Sequence, residues 1–150
     1  MNIKITRKKK RLVARLIPYY CIINYDIEDF KKYIKEENYA LNDNAMENID
    51  YNPLSLNVAK NMPRAFSVEK FKAHLENKKE NVEIVLIKNG ETKTIELDNK
   101  KTPILVASFT STGVVFSNQV LVSENSVDKS YLIVTKYNWK TGSEILIYNK

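Results

Sequence analysis

The sequence predicts an α+β protein, mainly β: an antiparallel β-sandwich or partly open barrel with a helical insertion at about 26–81. Three observations lead there. Apolar and polar residues alternate with period two near the N-terminus and again, repeatedly, after residue 82, as in strands with one buried face. Turn signals punctuate that second region at short intervals. Between the two regions the pattern changes to helix caps followed by apolar residues at helical spacing.

The first strand is expected over residues 2–8, where Ile3 and Ile5 alternate with Lys4 and Thr6. A second, over 17–24, is rich in Tyr and Ile and carries Pro18 near its start, where a missing N–H is tolerated. Asp26 then caps a helix with Ile27, Phe30 and Ile34 on one face, and Tyr25 with Phe30 occupies the positions of a hydrophobic staple. Ser67 repeats this grammar, with Phe66 and Phe71 as the staple and a helix to about Lys79. Asn52-Pro53 reads as cap and first position of a short helix through Val58, stopped by Pro63. Residues 38–51 show no clear period.

Strands follow at 82–88 and 92–97, flanking Asn89-Gly90. That dipeptide predicts a type I′ hairpin, whose two central residues both need positive φ. Residues 104–109, 114–122, 131–137 and 144–148 complete about eight strands, the last two joined by a turn at Thr141-Gly142. The economical arrangement is one domain over 1–150, with a β core of 1–25 and 82–150 and the helical stretch inserted. The alternative is a helical subdomain packed on one sheet face. A chain of 150 residues buries roughly 70% of its unfolded surface, so it needs no disulfide or metal to hold a core.

Charge is unevenly placed. The net charge is +6, yet residues 1–15 alone carry seven bases and no acid, which leaves the remainder close to neutral. Arg7, Lys8, Lys9, Lys10 and Arg11 form a candidate strip for an anionic partner, with phosphate on nucleic acid or lipid as the natural ligand. The structural alternative is a charged edge strand that discourages edge-to-edge pairing. Residues 26–50 are acidic.

Four pieces of the chain resemble small bacterial β-sandwich modules of the PEGA type. They are Ile5-Thr6-Arg7-Lys8-Lys9, Cys21-Ile22-Ile23-Asn24, Asn89-Gly90-Glu91 leading to Ile95 and Leu97, and Ser117-Asn118-Gln119-Val120. The likeness covers residues 3–24 and 82–122. Tyr25 stands where such modules have a turn glycine, and the 26–81 stretch is extra. The resemblance implies a structural or interaction domain and brings no catalytic residues.

Catalytic patterns are lacking in the sequence. His74 is the single histidine and Cys21 the single cysteine, so neither a histidine-rich metal site nor an internal disulfide can form. The three glycines make no phosphate-binding loop. The clusters Asp26/Glu28/Asp29 and Glu36/Glu37 read as capping and solvation. Tyr137, Trp139 and Lys140 form a candidate aromatic contact on a loop, able to stack on a sugar, a base or a protein.

Export is not expected. The apolar stretch 12–23 is interrupted by Arg15, broken by Pro18 and followed by no small-x-small site. It is also too short to span a bilayer. A cytoplasmic, non-catalytic interaction module without cofactor is expected, engaging a macromolecular partner, a protein foremost, with residues 38–66 as the main contact region. The rival expectation is a basic nucleic-acid-associated protein acting on or against a host nucleic-acid machine.

Overall fold

The computed structural model describes residues 1–10, 17–37, 67–77, 81–98, 100–110, 113–126, 129–138 and 142–150. Along the chain the elements are β1 (Asn2–Arg7), β2 (Tyr19–Ile23), α1 (Ile27–Glu36), α2 (Val68–Glu76), β3 (Glu83–Ile87) and β4 (Thr92–Glu96). They continue with β5 (Thr102–Thr110), β6 (Gly113–Phe116), β7 (Val120–Val122), β8 (Ser130–Asn138) and β9 (Gly142–Asn149). The expected helix at 52–58 lies outside the described residues.

The strands form two sheets and no closed barrel. One runs β4-β1-β8-β9; the other runs β3-β2-β5-β6, with β7 also on β5. We call them the first and second sheets. Three layers result: first sheet, second sheet, helices.

Between the sheets lie Ile3, Ile5, Cys21, Ile87, Ile104, Val106, Ile133 and Ile147, among others. On the outer face of the second sheet, Ile22, Leu105, Ala107, Val114 and Phe116 meet Phe30, Tyr33 and Ile34 of α1 and Phe71 and Leu75 of α2. This explains two sequence patterns at once. Strands of the first sheet alternate because only one face is covered. Residues 21–23 and 104–107 are apolar without a break because β2 and β5 are covered on both faces.

The helices are fixed by aromatic edges. The Asp26 carboxylate accepts the Glu28 N–H at 2.8 Å, and the Tyr25 and Phe30 rings meet edge-on with centroids 6.4 Å apart, which realises the staple. Phe30 in turn touches Phe71 at 5.5 Å and Phe116 at 5.6 Å, tying both helices to β6. Ser67 caps α2 through the Lys70 N–H. The helical insertion therefore shares a core with the second sheet.

Three features differ from the sequence expectation. Asn89-Gly90 closes no hairpin: β3 pairs with β2 and β4 with β1, so the turn carries the chain from one sheet to the other. Its φ is positive at Gly90 alone, 77°, and not at Asn89, which rules out type I′. The strand at 114–122 is split into β6 and β7 by Ser117-Asn118-Gln119. Finally, β1 and β8 pair in parallel, with Arg7 opposite Ile133, in otherwise antiparallel sheets.

Those three polar residues replace regular pairing with side-chain bonds. Ser117 Oγ accepts the Val106 N–H at 2.9 Å, holding β5. Asn118 exchanges bonds with Ile147 of β9, and Gln119 Oε1 accepts the Ile27 N–H at 2.7 Å. The last satisfies a donor that the first turn of α1 leaves unpaired. Sheet, opposite sheet and helix are thus joined from consecutive positions. Among the described residues, no helix is long and apolar enough to cross a membrane.

Candidate interface for an anionic partner

Strand parity decides the fate of the basic strip. Ile3 and Ile5 face the inter-sheet core, and Arg7 continues the same face, so its side chain is 3% exposed. Its guanidinium lies 3.7 Å from the centre of the Tyr19 ring, and Nη1 donates to the Ile87 carbonyl at 3.0 Å. Burial lowers the Arg7 pKa, and the Tyr19 hydroxyl partly offsets this. Arg7 therefore bolts β1 of one sheet to β2 and β3 of the other and stands apart from the surface strip. Tyr19 extends the bolt, since its hydroxyl meets Thr135 Oγ1 of β8 at 2.5 Å.

Lys8, Lys9 and Lys10 are exposed. Their backbone is held on both sides. The Lys8 N–H donates to the Ile133 carbonyl at 2.9 Å. Asn89 grips Lys10 twice: its Oδ1 accepts the Lys10 N–H at 2.8 Å and its Nδ2 donates to the Lys10 carbonyl at 2.9 Å. Gly90 lies beneath Lys9, where an added Cβ would sit 3.4 Å from the Lys9 Cβ on a φ that disfavours side chains. Exposed Lys88 flanks the same turn. Nearby Glu91 is engaged elsewhere, accepting the Lys88 N–H and pairing with Lys93 at 3.7 Å. Among the described residues, no ion pair involves Lys8, Lys9, Lys10 or Lys88. The result is a lysine ridge on a fixed backbone.

The parallel β1–β8 ladder directs this ridge and the end of β8 toward the same end of the first sheet. Tyr137 lies near the end of β8, opposite Ser143 of β9. Arg11, Trp139, Lys140 and the expected contact region at 38–66 lie outside the described residues. The opposite end of the sandwich is acidic, with Glu83, Glu96 and Asp98 joined by Lys100 around a polar notch of about 260 Å³. The molecule is polarised along its strands.

The single cysteine and histidine lie in different layers. Cys21 faces the inter-sheet core, where burial pushes its thiol up to about 12 against a small opposing effect of Lys93. His74 is on α2, beyond the second sheet, with its ring 4.5 Å from that of Tyr33. Sheet two separates them, so they form no nucleophile–base pair. Among the described residues, no three His, Cys, Asp or Glu side chains gather to hold a metal ion.

The strip expected from the sequence includes Arg7, although the alternation of Ile3 and Ile5 places that residue on the buried face. Asn89, which builds the ridge, was hidden by its reading as a hairpin residue. Comparison with protein-family models, curated proteins and solved structures finds no match for this chain.

Proposed function

We propose that this protein is a non-catalytic interaction module that docks an acidic surface of a protein partner against the Lys8–Lys10 ridge. One observation carries the reading: three successive lysines, joined by Lys88, are exposed on a backbone that Asn89 and Ile133 hold in place. A held backbone lowers the ordering cost of binding, although each lysine side chain keeps its own freedom. The buried, protonated thiol and its separation from His74 support the non-catalytic part. The test compares partners captured from the native cell by the wild type and by a Lys8→Glu/Lys9→Glu/Lys10→Glu variant. A partner lost with the variant and eluted by salt supports the reading; a partner retained by both removes it.

The second reading is a nucleic-acid-associated protein. The exposed lysine ridge on a held backbone favours it, because clustered cations suit a phosphate chain. Four lysines on single-stranded nucleic acid would give a log–log salt slope of about −3. Undetectable binding to RNA and duplex DNA at about 50 mM salt, where such contacts are strong, eliminates this second reading.

A further inference from the structure

The two sheets have four lateral edges, and three carry protection. On β4, Lys93 lies opposite buried Ile5 and so projects a charge on the inner face, between exposed Thr92 and Thr94. On β9, both backbone groups of Ile147 are taken by Asn118. The β6/β7 edge is interrupted by Ser117-Asn118-Gln119. An inward charge, a covered edge and a break are the usual means of preventing strand addition.

Among the described residues, β3 has none of these. Its sequence is Glu-Ile-Val-Leu-Ile, with no proline or lysine, and among the described residues its one ladder is with β2. Leu86 is 39% exposed, one of few large apolar side chains so placed. Beside the strand runs a groove of about 450 Å³ lined by Lys72, Leu75 and Glu76 of α2 and by Val82, Glu83 and Ile84.

We propose that a second copy of this chain pairs with β3, antiparallel about a two-fold axis at Val85. Three features select a second copy. That register pairs all five residues, placing Leu86 of each copy opposite Ile84 of the other on the outer face. It brings each exposed Leu86 to the partner's groove, next to Leu75, Val82 and Ile84. It also sets Lys88 of one copy opposite Val82 of the other, within the groove that Glu76 and Glu83 line. The strand is acidic at one end and basic at the other, so antiparallel pairing joins unlike charges at both ends. The carbonyl of Ile87, already used by Arg7, falls at the margin of the new ladder. The two second sheets become one continuous sheet, and Lys88 of each copy leaves the ridge for the new interface.

Sedimentation equilibrium and disulfide trapping test this. Wild-type protein is expected to show a concentration-dependent dimer, and Leu86→Lys a monomer with an unchanged far-ultraviolet spectrum. Because Leu86 faces Ile84 across the axis, a mixture of Ile84→Cys and Leu86→Cys proteins should form a disulfide-linked heterodimer on mild oxidation. Each alone should not, since identical positions lie diagonally, roughly 7–8 Å apart, beyond disulfide reach. Native Cys21 is buried and stays silent. A wild type that remains monomeric at high concentration overturns the proposal. So does a dimer indifferent to Leu86→Lys, or Leu86→Cys linking to itself as readily as to Ile84→Cys.

Discussion

Asn118 and Ile147 treat each other as strand neighbours: the Asn118 side-chain amide donates to the Ile147 carbonyl at 2.7 Å and accepts the Ile147 N–H at 3.0 Å. One side chain thereby satisfies both backbone groups of one residue of an edge strand. Asn89 does the same for Lys10. Asparagine suits this because it carries a donor and an acceptor at the spacing of a peptide group.

Asn118→Asp tests the device. The carboxylate keeps the acceptor but loses the donor and sets a negative charge beside the Ile147 carbonyl. We expect a loss of about 1–3 kcal/mol, the cost of an unmade bond at a partly buried group. Urea unfolding at neutral pH reads it. A midpoint within error of wild type would mean that the pair contributes nothing.

Much of the architecture was legible. The alternation at Ile3/Ile5 and the unbroken apolar runs at 21–23 and 104–107 announced one-sided and two-sided strands, and the caps at Asp26 and Ser67 lie where the helices begin. Pairing was harder to read. Asn89-Gly90 has the composition of a hairpin, but composition cannot say whether flanking strands prefer each other or separate sheets. Here Ile87 and Ile95 both enter the inter-sheet core from opposite sides, and that shared core decides. The break at Ser117 was likewise invisible, because Val114, Phe116, Val120 and Val122 keep an alternating look across it.

Arg7 is a structural residue by this account, so its loss should be felt in stability. A desolvated cation over an aromatic ring contributes up to about 2 kcal/mol, and a charged hydrogen bond a similar amount. Arg7→Ala should lower unfolding free energy by about 2–4 kcal/mol, whereas Lys8→Ala should change it by less than about 0.5 kcal/mol. Arg7→Lys should recover little, because an ammonium lacks the planar stack. Equal effects at positions 7 and 8 would contradict the parity argument.

Cys21 gives a pH dependence of known sign. Its thiol is pushed up to about 12 in the fold from a usual value of 9.0. Above pH 9 the unfolded chain releases this proton and the folded chain does not, so stability is full below that pH and falls as pH rises toward 12. Between pH 9 and 10 the expected loss is about 1 kcal/mol relative to Cys21→Ala, which lacks the group. The alanine variant starts lower because of its small cavity, so the readout is the slope. Parallel stability curves would show that the thiol ionises as readily in the fold as outside it.

Ser108 offers the opposite case, a residue whose removal should help. Its hydroxyl oxygen is the one fully buried side-chain polar atom without a hydrogen-bond partner among the described residues, and the residue is 2% exposed. It lies opposite Tyr19 on one side and Val115 on the other, in the ladders that β5 makes with β2 and β6. The Tyr19 hydroxyl is already committed to Thr135, so the hydroxyl of Ser108 is desolvated without return. Such a group costs roughly 1–3 kcal/mol, of which alanine recovers part while giving up only an oxygen's volume. Ser108→Ala should therefore stabilise by about 1 kcal/mol. The larger Ser108→Leu should destabilise, because inter-sheet packing leaves no room for three added carbons. Thermal unfolding of both variants decides it: an alanine variant less stable than wild type would mean that the hydroxyl has a partner, such as a buried water, and belongs to the network of Arg7, Tyr19 and Thr135.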